Sequence, residues 1–241
     1  MNRDLAFTGH QPLPPAREGK GKRVKAIAIA ERADVIVVAP ATANVIAKLT
    51  WGMADDALTS TVLATRAPII LAPAMDANMY ENAATRENVE KLETRGLVIA
   101  GPAEGRLASG MIGKGRMLET SELLDHIRIV LGRSGDLADR KIVVSAGGTQ
   151  EPLDPVRFIS NRSSGKMGYA IAEAARDRGA NVVLVTAPTA LDDPSGVDVR
   201  HVESASDMRD AVLGACAGAD AVIMAAAVAD YTPADPAPQK I

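Results

Sequence analysis

The stretch SAGGTQEPLDPVRFISNRSSGKMG, residues 145–168, gathers the side chains best suited to chemistry on an oxygen anion. Gly147 and Gly148 let the backbone approach a ligand closely. Arg157, Arg162 and Lys166 bring positive charge to a region that precedes a predicted helix N-terminus, where open N–H groups attract anions. Asn161 carries an amide that can donate to a carbonyl or acyl oxygen and accept from an amine. Gly165-Lys166 has the look of a phosphate loop's end. That pattern needs a glycine five positions before the Gly-Lys pair and Ser or Thr after it. Ser160 and Met167 stand there instead, so the stretch reads as an anion-binding loop of another design.

Three further segments have unusual composition. In APATAN, residues 39–44, Thr42 and Asn44 can cap a helix, and the helix start can hold an anion. In PAMDANMY, residues 73–80, Met75 and Met79 are polarizable and suited to lining a flat ring, while Asp76 is either a helix cap or a functional acid. GRLASGMIGKGRM, residues 105–117, has four glycines in thirteen residues and reads as a mobile flap or as a plain surface loop.

The elements that must position these residues follow from periodicity. Residues 1–23 are rich in Pro, Gly and charge and read as a flexible start. DVIVVAPA, PIILAPAM and LVIA are apolar runs expected to be buried strands, separated by helical patterns over TANVIAKLTWG, ADDALTSTVLAT (capped near Asp55) and ENAATRENVEKLETRG. A helix is expected near residues 120–131. The polar stretch GRSGDLADR, residues 132–140, is read as a domain boundary, giving domains 24–139 and 140–241. A second set follows: strand KIVVSAGG, a long loop over 147–164, a helix from Gly165, strand NVVLVTAP, a helix from Ser206 and strand AVIMAAAV. Strands alternating with helices imply parallel sheets. The fold class is α/β, with two Rossmann-like three-layer parallel-sheet domains, the first flavodoxin-like. The second set counts about three strands, fewer than such a sheet needs, so both domains are expected to be incomplete. In open parallel sheets ligands bind beyond the carboxyl ends of the strands, where all four segments fall.

Composition excludes several classes. The net charge is −3 and aromatic content is 2%, which gives neither a basic patch nor stacking platforms for nucleic acid. The single cysteine, Cys216, rules out a disulfide framework and points to a reducing compartment. His10, His126 and His201 show no metal-ligand spacing. No apolar run reaches the roughly 18 residues that span a bilayer, and the polar start does not resemble a signal peptide. A cytoplasmic protein without membrane contact is expected.

The four segments, in this order, resemble the bifunctional coenzyme A biosynthesis flavoproteins, which join phosphopantothenoylcysteine decarboxylase to phosphopantothenate–cysteine ligase. The likeness covers about residues 24–241 and is most specific in EPLDPVRFISNRSSGKMG, with AAAVADY at 225–231 and the terminal QKI also matching the ligase half. The resemblance implies CTP-dependent activation of the 4′-phosphopantothenate carboxylate as an acyl cytidylate, release of pyrophosphate, and attack by L-cysteine. It implies Mg2+ with CTP, without a direct protein ligand. It places Asn161 on the acyl cytidylate and Met224, Ala225, Ala226, Asp230 and Lys240 at the nucleotide, with further nucleotide-binding residues beyond residue 241. It also implies homo-oligomers.

For the first half the resemblance implies an FMN-dependent decarboxylase, in which the flavin oxidises the cysteinyl thiol side, carbon dioxide leaves and the enethiol is reduced back. Thr42, Asn44, Met75, Asp76 and Ser109 fall on its flavin and substrate pocket. Four departures stand out. Residues 1–23 do not resemble the opening strand and flavin phosphate loop. The catalytic histidine falls on Ala26, the motif asparagine on Asp76 and the flap cysteine on Ser109. Alanine cannot transfer a proton and serine cannot reduce a thiol-linked intermediate, so the decarboxylase half is expected to be impaired. The competing expectation is a non-catalytic flavin-binding or oligomer scaffold. A dinucleotide-dependent oxidoreductase fits less well, because SAGGTQEP lacks the G-x-G-x-x-G spacing.

Overall fold

The structure, a computed structural model, describes residues 20–240. The flexible start read over 1–23 falls mostly outside them, and its last residues, from Lys20, open a helix. The chain divides into two units, Met1–Ile127 and Arg128–Ile241.

The first unit begins with α1 (Lys20–Arg32) and β1 (Ile36–Ala41). Ala26 and Ala30 are buried, one helical turn apart, on the face of α1 that meets α3 (Ala57–Ala64). Their carbonyls accept from Thr61 Oγ1 at 3.4 Å and Thr65 Oγ1 at 3.0 Å. Side chains no larger than a methyl let the two helices approach this closely. β1, β2 (Ile69–Pro73) and β3 (Val98–Ile99) form a parallel sheet in that order, with Ile36 opposite Ile69 and Ile70 opposite Val98. Its core joins Val38 and Leu71 to Ile46 and Leu49 of α2 (Ala43–Thr50), Val62 of α3, and Val89 and Leu92 of α5 (Ala83–Thr94). Each such aliphatic side chain stabilises the fold by roughly 1.5–3 kcal/mol when fully buried. The cap of α3 is Asp56, in a capping box with Thr59; the neighbouring Asp55 pairs with Lys48 instead.

Two features of this unit differ from expectation. A short helix, α4 (Ala77–Glu81), follows β2, and the glycine-rich stretch is a hairpin of β4 (Ala103–Arg106) and β5 (Ile112–Arg116). Glycine is a poor strand former, which hides such a hairpin from sequence. Here it is required by close approach: a Cβ at Gly115 would lie 2.3 Å from the Met75 carbonyl oxygen.

Helix α6 (Thr120–Gly132) leads into the second unit. Its sheet has four parallel strands, ordered β10 (Asp198–His201), β9 (Asn181–Thr186), β6 (Lys141–Ala146), β11 (Ala221–Met224). β10 was not foreseen: DVRH is short, polar and exposed along one edge, so it lacks the apolar run of a buried strand. Alternation along β6 and β9 feeds two cores. Ile142, Val144, Ala146 and Leu184 pack under Tyr169, Ala172 and Ala175 of α7 (Lys166–Arg176). Val143, Val183 and Val185 pack under Met208 and Val212 of α8 (Ala205–Ala215). The result is three layers with a sheet in the middle, as continuous β-branched strands require. Helix α7 rides directly on β6: a Cβ at Gly168 would lie 2.6 Å from Ala146 Cβ and 2.8 Å from the Ser145 carbonyl. The connection over 147–164 is not a structureless loop; β7 (Gln150–Pro152) and β8 (Phe158–Ser160) pair within it as an antiparallel hairpin.

Candidate functional site

Each unit presents a cluster beyond the carboxyl ends of its sheet. In the first unit the ends of β1 and β2 are tied by a hydrogen bond from Ala74 N–H to the Ala41 carbonyl, 3.1 Å. Thr42 follows β1 and caps α2, its hydroxyl accepting from Val45 N–H at 3.3 Å. Asn44, in the first turn of α2, is exposed, and Met75 is half-buried against the core. Of the two readings of Asp76, the geometry shows the helix cap. It caps α4 by accepting from Asn78 N–H at 3.0 Å, and Ser109, at the tip of the β4–β5 hairpin, lies close enough to act on its carboxyl. The Ser109 hydroxyl, with the Asn78 amide, holds the Asp76 carboxyl below the usual carboxylate range. The hairpin is further held at its base, where Met75 N–H donates to the Gly115 carbonyl at 3.0 Å, and Lys114 lies over the Tyr80 ring, 5.7 Å from its centre. Ala26 is buried against α3.

In the second unit the cluster surrounds the end of β6. Gly147 takes φ +80°, and a Cβ there would lie 2.7 Å from the Ala187 carbonyl oxygen; only glycine suits this position. The hairpin β7–β8 is held by two buried carboxylates. Glu151 accepts from Ala205 N–H at the start of α8, 2.8 Å. Asp154 accepts from Val156 and Arg157 N–H, both at 2.8 Å, and from the Arg157 guanidinium at 2.7 Å and 2.6 Å. Arg157 is therefore engaged in shaping the hairpin. Arg162 and Lys166 are exposed and form no hydrogen bond or ion pair among the described residues. They flank the start of α7, whose cap Gly165 provides no side-chain acceptor, so the first-turn amides stay open.

Asn161 donates from Nδ2 to the Val228 carbonyl at 2.8 Å, which joins it to the segment that follows β11. Of the expected nucleotide residues, Met224 ends β11, and Ala225 and Ala226 donate to Ser145 Oγ at 3.1 and 3.2 Å. Asp230 and Lys240 are exposed, with no hydrogen bond or ion pair to Asn161 among the described residues. The tail that carries Lys240 is tied earlier, by Ala237 N–H to the Leu153 carbonyl, 2.9 Å. Sequence reasoning missed Ser145, Thr149, Glu151 and Asp154, all buried here. The signal was available for the first two, as hydroxyls at the end of an apolar strand; the carboxylates looked like ordinary loop polarity. Among the described residues no three or more His, Cys, Asp and Glu gather as a metal site, and no helix is long and apolar enough to cross a membrane.

A family described as Flavoprotein matches residues 6–132, just over half of the chain. The chain belongs to the flavoprotein family. The family described as DNA/pantothenate metabolism flavoprotein C-terminal domain matches residues 137–241. The coenzyme A biosynthesis bifunctional protein CoaBC of Mycobacterium tuberculosis (strain H37Rv) is 50% identical over 218 residues, 88% of this chain and 52% of that protein. Its counterpart from Vibrio vulnificus (strain YJ016) is 47% identical over 229 residues, 95% of this chain and 56% of that protein. A crystal structure of the C-terminal domain of CoaBC is 54% identical, covers 41% of this chain and 50% of that one, and superposes with a TM-score of 0.40. The chain spans about half the length of the curated relatives it matches.

Proposed function

We propose that the chain takes part in coenzyme A biosynthesis, its second unit carrying ligase residues that join 4′-phosphopantothenate to L-cysteine at the expense of CTP. The pantothenate carboxylate attacks the α-phosphorus and displaces pyrophosphate; the cysteine amine then attacks the acyl carbon and displaces CMP. The observation that supports this reading is the Asn161–Val228 hydrogen bond, 2.8 Å, because it links the amide suited to the acyl group with the segment suited to the nucleotide. One Asn161 N–H is committed to Val228, which leaves the second N–H and Oδ1 for the acyl oxygen and the incoming amine. The open first turn of α7 and the unpaired Arg162 and Lys166 suit the phosphates, and Mg2+ would arrive with the triphosphate.

The test is Asn161→Asp in the full chain. Pyrophosphate release should persist while transfer to cysteine falls by about 10²–10³, the usual effect of losing an oxyanion donor. Equal loss of both steps would overturn the assignment of Asn161.

In the first unit, a half-buried thioether, Met75, beside the exposed Thr42 hydroxyl and Asn44 amide suits the face and polar edge of the FMN ring. FMN, when bound, supplies two-electron redox chemistry. Thr42 and Asn44 would orient the ring edge and Met75 would exclude water from its face. Ala26 offers no proton and the Ser109 hydroxyl offers no thiol, which favours a flavin-binding unit with impaired decarboxylation.

A further inference from the structure

After β11 the segment 225–229 keeps one isolated parallel bridge, Ala227 to Gly148, and four of its five amides are anchored to β6 or the residues just after it. Ala225 and Ala226 N–H donate to Ser145 Oγ at 3.1 and 3.2 Å, Ala227 N–H to the Gly147 carbonyl at 2.8 Å, and Ala229 N–H to Thr149 Oγ1 at 2.9 Å. Thr149 N–H returns a bond to the Ala227 carbonyl, 3.3 Å. Ser145 and Thr149 are both 0% exposed. Two buried hydroxyls thus tether the segment on either side of the backbone bridge between Gly148 and Ala227. Val228 lies between the amides held by Gly147 and Thr149, and its carbonyl is the one that receives Asn161 Nδ2.

We propose that Ser145 and Thr149 are positioning residues that fix the 225–229 segment and, through the Val228 carbonyl, set the orientation of the Asn161 amide. A hydroxyl accepts from a broad range of directions, whereas a ladder carbonyl would hold the segment in strand geometry and turn successive peptide groups to alternate sides. The side-chain tethers flank the Gly148–Ala227 bridge and keep the amides on either side of it satisfied. Thr149 governs Asn161 most directly, because its partner Ala229 is the residue after Val228. Ser145 governs the start of the segment, at Ala225 and Ala226.

The consequence for catalysis rests on the ligase reading above: Ser145 affects nucleotide binding and Thr149 affects acyl transfer. Thr149→Val keeps the shape and removes the acceptor, and Thr149→Ser restores it. In the full chain, the Asn161 side-chain amide resonances should shift in Thr149→Val and return in Thr149→Ser, while Ala229 N–H exchanges at least about tenfold faster in the valine variant. Unchanged Asn161 resonances in Thr149→Val would overturn the proposal. With CTP, 4′-phosphopantothenate and cysteine, Thr149→Val should lower product formation more than pyrophosphate release, and Ser145→Ala should raise KM for CTP more than it lowers kcat. A purely structural role would lower both steps together and leave their ratio unchanged. If the chain extended through the nucleotide-binding residues expected beyond residue 241 releases no pyrophosphate from CTP, the ligase reading fails, and the resonance experiment still decides the coupling.

Discussion

The two units solve one problem with different materials. Each lays an antiparallel hairpin near the carboxyl end of a parallel sheet, β4–β5 in the first and β7–β8 in the second. The first hairpin is held by backbone approach at its base, and its tip carries an exposed Ser109 near Asp76. The second is held by fully buried carboxylates, Glu151 on α8 and Asp154 on Arg157. A buried charge-assisted bond is worth about 1.5–3 kcal/mol, whereas water competes for a hydroxyl as exposed as that of Ser109. The difference teaches that the first hairpin is held chiefly at its base, whereas the second is tied into the frame by buried carboxylates.

Glycine contacts give the strongest way to break this comparison. Gly168→Ala drives a methyl into β6 and should destabilise the second unit by about 2–3 kcal/mol, read by denaturant unfolding. Gly115→Ala meets the Met75 carbonyl and should displace the first hairpin with a smaller loss of global stability. Equal losses would mean that the first hairpin is as integral as the second. A sharper contrast comes from the carboxylate and hydroxyl anchors. Asp154→Ala should cost about 2 kcal/mol and expose 153–160 to proteolysis, whereas Ser109→Ala should leave global stability nearly unchanged and speed exchange only around 107–111.

The smallest effect expected is with pH. The Ser109 hydroxyl and the Asn78 amide lower the Asp76 carboxyl, so its contribution is present above the ordinary carboxylate range and is lost as pH falls through its own, lower value. The Ser109 amide resonance should therefore hold steady through the ordinary carboxylate range and change only below it. Asp76→Asn should remove that dependence while the α4 cap persists.

Much of this architecture was legible in sequence. The apolar runs around Val38, Leu71, Val144 and Leu184 read as buried parallel strands, and the longer helices between them, though not α4, followed from periodicity. The hairpins were not legible, because GRLASGMIGKGRM owes its strands to close packing against Met75, and SAGGTQEPLDPVRFISN owes them to carboxylates whose partners are distant or turn-local. The candidate residues Asn161, Ala225 and Ala226 could be singled out, but the bond from Asn161 to Val228 spans 67 positions and no local pattern reveals it. The Ser109–Asp76 pair was similarly hidden, since each residue alone read as a departure rather than as half of a contact.

The sheet order of the second unit carries a consequence for synthesis. β6 lies between β9 and β11, and the Ser145–Ala225 bond joins residues 80 apart in sequence. At about 5–20 residues per second, roughly 4–16 s separate the two on the ribosome. During that interval one side of β6 has no partner strand, and the Ser145 and Thr149 hydroxyls have no amides to receive. An open strand edge of this kind invites pairing with the wrong segment. The nascent chain is thus most exposed to misassembly at the edge on which the 225–229 segment later settles, and a chaperone that shields it would act over those seconds.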